Sequence, residues 1–312
     1  MLVARMKKLP GLKKLDRLTL EEVRAFKREA VERQSVAKAR AAAEERVIVA
    51  EGDSWFDYPV GVDVVDCLRR YHGYTVLNHS LAGDTLENMV YGSKVWPRRG
   101  YRAIPSRLNE VVADLKRTKA RALVFSGGGN DIAGAEFAQF LEHQQTGLQV
   151  FRRGHAMHMI EVVFHKIMGD LIERVTAASP RVRIFTHGYG YPVPDGRGIG
   201  VAIGLSFIGP WLRPALAAKR IDAATEGTAI VRELIDMLNG MLASLELAHE
   251  NFHYVDLRGL IGAGRGSWVN ELHVKSSVCA AIAAALDARM RAEGVWETRA
   301  GPRGATNKKR RR

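Results

Sequence analysis

Cysteine is scarce in this chain. Cys67 and Cys279 are the two present among 312 residues, too few for a disulfide framework and without the paired spacing of a zinc site. They suit a reducing compartment. Long apolar runs are missing as well. The stretch Met1–Lys8 is interrupted by charge before a signal-peptide core develops, and no later segment has the roughly 20 apolar residues that a membrane helix needs. The expectation is a soluble, cytoplasmic protein without a transmembrane segment. Nucleotide-binding glycine patterns are also lacking: neither Gly-x-x-x-x-Gly-Lys-Ser/Thr nor a Gly-x-Gly-x-x-Gly between a first strand and helix occurs. His143, His155, His158 and His165 crowd one region, yet the acids near them form no ligand pattern. No metal and no cofactor is expected.

What the chain does have is apolar content, 46% of its residues, enough for one enlarged domain. It also has a formal net charge of +13. Such a balance points toward anionic partners, but part of it sits in Lys308–Arg312, behind Gly301, Pro302 and Gly304. Residues 297–312 read as a disordered basic tail, and with no nucleic-acid module beside it a nucleic-acid partner is not expected. Oligomeric state is not legible.

Residues 1–18 form a basic N-terminal segment. Thr19-Leu-Glu-Glu22 fits a capping box, which predicts a helix over 19–46. Leu20, Val23, Phe26, Ala30 and Val31 make its apolar stripe. Five β-rich runs follow, Val47–Ala50, Thr75–Asn78, Ala122–Ser126, Val182–His187 and Phe252–Leu257, separated by helical patterns. This alternation predicts an α/β fold with a parallel sheet covered on both faces, over a domain at 47–296. Within it, Tyr189–Arg220 is dense in glycine and proline and reads as an inserted lid or groove wall, or as a structural loop over the sheet.

Several predicted strand ends finish in residues suited to acyl-transfer chemistry. These are Gly52-Asp53-Ser54, then Gly83-Asp84, then Gly127-Gly128-Gly129-Asn130, and near the C-terminus Asn270-Glu271-Leu272-His273. In a parallel sheet such ends share one edge, so segments distant in sequence converge there. Ser54, Gly83, Asn130 and His273, in four ordered blocks between about Val47 and Met290, resemble the SGNH hydrolases, also called GDSL esterases and lipases. The resemblance implies a three-layer α/β/α domain with a flavodoxin-like five-stranded sheet. It also implies a small ester or acyl substrate, Ser54 as nucleophile with His273 as its base, and oxyanion donors from the Ser54 and Gly83 N–H groups and the Asn130 amide. The chemistry agrees: a serine hydroxyl needs a base, and imidazole titrates near neutral pH.

One position departs from the pattern. The family's histidine follows an aspartate in Asp-x-x-His, and here Asn270 stands in that place. Its carbonyl can accept from the imidazole but brings no charge, so a dyad with a weaker orienting group is expected. A backbone carbonyl near residues 268–270, or Asp256, could take the role instead. His79, His187 and His253 lie near strand ends without metal-ligand spacing and read as ordinary hydrogen-bonding residues. Trp55, Phe56 and Tyr58 line an acyl pocket or pack in the core. The function expected is ester hydrolysis by an acyl-enzyme. The alternatives are an acyltransferase or thioesterase using the same residues, and a binding protein that has kept the fold.

Overall fold

A computed structural model describes residues 15–40, 46–96, 100–200, 208–262 and 264–296. The predicted tail at 297–312, most of the basic segment and residues 201–207 of the 189–220 insertion lie outside them. Five short apolar segments become strands: β1 (Val47–Gly52), β2 (Thr75–Asn78), β3 (Ala122–Ser126), β4 (Arg183–His187) and β5 (Phe252–Val255). All neighbours pair in parallel, in the order β2-β1-β3-β4-β5. Every residue of β3 is buried, which is why the sequence shows a continuous apolar run there rather than alternation.

The order is the flavodoxin-like one, and it reverses between β1 and β3. Ligands of open α/β sheets bind in the crevice outside the strand ends at such a reversal. Gly52 lies opposite Ser126 in the β1–β3 register, so the segments leaving both strands start side by side. Gly52 is required there: a Cβ on it would lie 2.7 Å from the Ser126 carbonyl oxygen.

Helices cover both faces. Besides the one-turn helix Arg153–Met157, in chain order they are α1 (Leu20–Arg40), α2 (Val64–His72), α3 (Leu86–Tyr91), α4 (Arg107–Thr118), α5 (His165–Ala178), α6 (Arg213–Ala218), α7 (Thr228–Ala248) and α8 (Ser276–Ala292). α8 packs on α2 and on β4 and β5, while α3, α4, α5 and α7 form the layer across the sheet. α7 faces inward with Ile230, Val231, Leu234, Ile235, Leu238, Leu242 and Leu245, a stripe of helical period. A short antiparallel pair, Val95–Trp96 with Arg102–Ala103, stands apart from the sheet.

α1 lies outside the α2 layer and opens with the capping box, in which the Thr19 N–H donates to Glu22 and the Glu22 N–H to the Thr19 hydroxyl. It is described as far as Arg40; residues 41–45 are not among those described. Val23 and Ala30 are buried, whereas Leu20 and Val31 stay exposed, so the apolar stripe is narrower than its sequence suggests. A polar contact does the rest. Lys27 Nζ reaches Asp63 Oδ2 at 2.6 Å and Asp66 Oδ2 at 2.8 Å, and these two acids form the capping box of α2. Just before α1, the Asp16 carboxylate accepts from the Ser277 N–H and hydroxyl in the first turn of α8. The N-terminal segment thereby grips the elements that follow β1 and that follow residue 273.

Candidate active site

The turn after β1 is built around Asp53. Its N–H donates to the Ser126 carbonyl, and its own carbonyl accepts from the N–H groups of Phe56 and Asp57, which closes a tight turn on Ser54. The Asp53 carboxylate is buried and accepts three bonds: from the Trp55 N–H at 2.9 Å, the Ser126 hydroxyl at 2.9 Å and the Tyr189 hydroxyl at 2.5 Å. Burial pushes its pKa up, against the pull of the Tyr189 hydroxyl. These bonds hold the Ser54 side chain at the rim of the crevice.

His273 comes from a loop closed by the Trp268–Val274 bridge and by the Val269 N–H donating to the His273 carbonyl at 2.8 Å. The Trp55 indole N–H donates to the Leu272 carbonyl at 3.1 Å and ties this loop to the Ser54 turn. The two meet: Ser54 Oγ lies 2.8 Å from His273 Nε2. Behind the ring, Asn270 Oδ1 lies 2.9 Å from His273 Nδ1 and also accepts the backbone N–H groups of Leu272 at 3.0 Å and His273 at 2.9 Å. A flipped amide would press its NH₂ against two N–H donors, so the oxygen is held toward the ring. Nδ1 then carries the proton, and Nε2 presents its lone pair to the Ser54 hydroxyl. The Tyr58 ring stacks on the imidazole at 4.4 Å, and the edge of Trp211 meets it at 5.3 Å. Burial pushes the His273 pKa down from 6.5 to about 4, because the neutral Asn270 offers the imidazolium no charge. Asp256, the alternative partner, is exposed and taken up by Arg258.

The other two blocks arrive at the same rim. The Leu81 N–H donates to the Gly52 carbonyl, and Asn130 Nδ2 donates to the Asp84 carbonyl at 2.8 Å, so Gly83 is held between the Ser54 turn and Asn130. Gly83 has φ +78°, a left-handed conformation that glycine adopts without strain. Among the described residues, neither the Ser54 nor the Gly83 N–H is donated to a protein acceptor. Asp131 fastens the same loop by accepting the Leu86 N–H at 3.1 Å on each oxygen, and burial pushes its pKa up to about 7.

The described part of the 189–220 insertion forms a wall of the crevice. Glu271, fully buried, gathers the N–H groups of Gly196 at 2.9 Å, Trp211 at 2.6 Å, Leu212 at 2.7 Å and Arg213 at 3.1 Å onto one carboxylate. Arg197 donates back to the carbonyls of Trp268 and Val269. The wall is therefore stapled to the loop that carries Asn270 and His273. Trp211 beside the imidazole, and Asp53, Tyr189 and Glu271 beneath the site, are contributors that sequence reasoning did not assign, whereas Tyr58, expected in an acyl pocket or the core, stacks on the imidazole. Asp53 and Glu271 adjoin Ser54 and Asn270 and could have been suspected as braces from that adjacency. Tyr189 and Trp211 lie in the 189–220 segment read as a lid, groove wall or structural loop, and nothing in the sequence singles these two out as reaching the site.

The remaining expectations sort clearly. Trp55 lines a cavity beside Ser54, Phe56 is in the core and Tyr58 faces the imidazole. His79 lies against Asp114 and Glu110, His187 bonds the Gly188 carbonyl, and His253 lies beside Glu293 and Arg289; none of them touches Ser54. Among the described residues no group of three or more His, Cys, Asp or Glu is placed to hold a metal ion, and no helix is long and apolar enough to cross a membrane.

Against known proteins, the profile of the GDSL-like Lipase/Acylhydrolase family matches residues 50–276. No curated protein sequence matches the chain. Among solved structures, it is similar to the lipase Lip_vut3 from a goat rumen metagenome at 14% identity, covering 80% of this chain and 97% of that one with a TM-score of 0.48. A carbohydrate acetylesterase family member from Sinorhizobium meliloti gives 14% identity, 80% and 98% coverage and a TM-score of 0.44.

Replacing the carboxylate that staples the wall tests its role. In Glu271→Gln the amide NH₂ opposes some of the four N–H donors, each left unsatisfied at a cost of about 1–3 kcal/mol. Hydrogen–deuterium exchange at residues 196 and 211–213 is expected to accelerate several-fold or more. Unchanged exchange there would show that something else holds the wall.

Proposed function

This chain belongs to the GDSL-like lipase and acylhydrolase family, and on that premise we propose that it hydrolyses carboxylic esters through an acyl-enzyme formed on Ser54. The observation that carries the reading is the 2.8 Å contact between Ser54 Oγ and His273 Nε2, with Asn270 Oδ1 fixing the far side of the ring. Nε2 takes the hydroxyl proton as Oγ attacks the ester carbonyl carbon. The carbonyl oxygen becomes an oxyanion, which the Ser54 and Gly83 N–H groups and the second Asn130 amide hydrogen receive. Each such donor is worth about 3–4 kcal/mol of barrier. Collapse of the intermediate expels the alcohol, which takes the proton from Nε2. Water then attacks the acyl carbonyl with His273 again as base, and the acid leaves with Ser54 restored.

Asn270 serves this cycle by orientation. In a serine protease, asparagine in place of the triad aspartate lowers turnover about 10⁴-fold through the wrong imidazole tautomer. Here the Leu272 and His273 N–H groups hold the amide oxygen toward Nδ1, which supports the productive tautomer without a carboxylate.

Two outcomes follow. A fluorophosphonate probe is expected to label Ser54 once per chain, and Ser54→Ala to lose both labelling and ester hydrolysis by at least about 10³-fold. Ester hydrolysis that survives Ser54→Ala overturns the assignment, and a wild type silent to the probe and to esters favours a binding protein. The second outcome is a pH profile. The base must be neutral, so activity is lost as pH falls through the His273 pKa, and with that pKa near 4 the acid limb of kcat/KM lies near pH 4. Asn270→Asp adds a charge that stabilises the imidazolium and moves the limb upward. A wild-type limb at pH 6.5 or above contradicts the proposal.

A further inference from the structure

A narrow cavity opens beside Ser54, between the strand ends and α7. Ser54, Asn130, Trp55, Phe137, Leu212 and Leu234 are among the residues that line it. His273 is not part of its lining. The imidazole instead borders a separate, smaller space that shares Ser54 and Trp55 with the first and is lined also by Tyr58, Val274 and Cys279. Taking Ser54 as the nucleophile, as proposed above, this asymmetry orients the ester. The departing oxygen must take its proton from His273 Nε2, so the alcohol lies on the imidazole side. The other substituent of the carbonyl, the acyl chain, then points away from His273 and into the cavity.

The lining decides what that chain can be. Its walls are mostly aromatic and aliphatic, the polar side chains Asp53 and Tyr189 in its lining are bonded to each other, and the Trp268 indole N–H, unpartnered among the described residues, is itself buried. A hydroxyl or charge on the acyl group would be desolvated without a partner, a cost of about 1–3 kcal/mol or more. The volume decides its length. At about 40 Å³ the cavity is small beside the roughly 300–1,000 Å³ of an ordinary ligand pocket, which suits a short acyl chain. Phe137 and Leu234 are buried to within 1%, and packing of that density does not yield without rearrangement. We propose that the enzyme is selective for esters of short hydrocarbon acids, from acetyl to about butyryl, with this cavity as the acyl site.

Nitrophenyl esters of acetate, butyrate, octanoate and palmitate test the selectivity. The expected kcat/KM is highest for acetate or butyrate and falls at least tenfold by octanoate. Leu234→Ala enlarges the cavity and is expected to raise the octanoate-to-butyrate ratio of kcat/KM several-fold. Both rates come from one sample, so the ratio is independent of how much of the variant is folded, and Phe137→Ala provides a second measurement of the same kind. Ser54-dependent hydrolysis that peaks at octanoate or beyond overturns the acyl site and leaves ester hydrolysis standing, as does an unchanged ratio in both variants. Absence of Ser54-dependent hydrolysis across the whole series overturns the underlying reading as well.

Discussion

One amide oxygen carries the site. Asn270 Oδ1 accepts from the imidazole Nδ1 and from two backbone N–H groups, and that convergence decides which ring nitrogen holds the proton. If the amide turned over, Nε2 would be protonated and would face the Ser54 hydroxyl with no lone pair for it. The buried ring, flanked by Tyr58 and Trp211, has little other polar support. A carboxylate in this place would supply orientation and charge together, whereas the amide supplies orientation alone. The low pKa of His273 is the physical trace of that difference.

The fold exists around this contact in layers. The reversal of strand order between β1 and β3 brings Ser54 and Asn130 to one crevice, and the loop before α8 brings His273 across to them. Three buried carboxylates then brace the arrangement: Asp53 under the serine turn, Asp131 under the loop of Gly83, and Glu271 between the crevice wall and the histidine loop. Asp53 accepts three donors and Glu271 four, as buried acids must when desolvation would otherwise make them costly, while Asp131 shares the Leu86 N–H between its two oxygens. From outside the family-matched region, Asp16 and Lys27 add a further grip on α8 and α2.

The sheet was legible because its strands are short apolar runs between breakers, and the five predicted segments coincide with the five observed strands to within about two residues at each end. The ordered blocks around Ser54, Gly83, Asn130 and His273 were legible through their resemblance to the SGNH pattern, and their convergence was expected because strand ends of a parallel sheet share an edge. What could not be read was set by contacts between distant segments. Whether Asn270 or Asp256 would face His273 depends on Asp256 being drawn off by Arg258, and Glu271 turns from its neighbour's imidazole because four N–H groups lie on its other side. The insertion's breakers announced a loop, but its attachment to Glu271 belongs to the tertiary structure. So does the placement of Trp211 against the imidazole.

The measurement that bears most directly on the Asn270 contact is ¹⁵N nuclear magnetic resonance of the His273 ring in the intact protein near pH 7. Expected are a neutral imidazole with its proton on Nδ1, an unprotonated Nε2, and a change of charge state only on acidification toward pH 4. A ring protonated on Nε2 alone, or one already cationic at neutral pH, would contradict the role assigned to the Asn270 oxygen and the chemistry built on it.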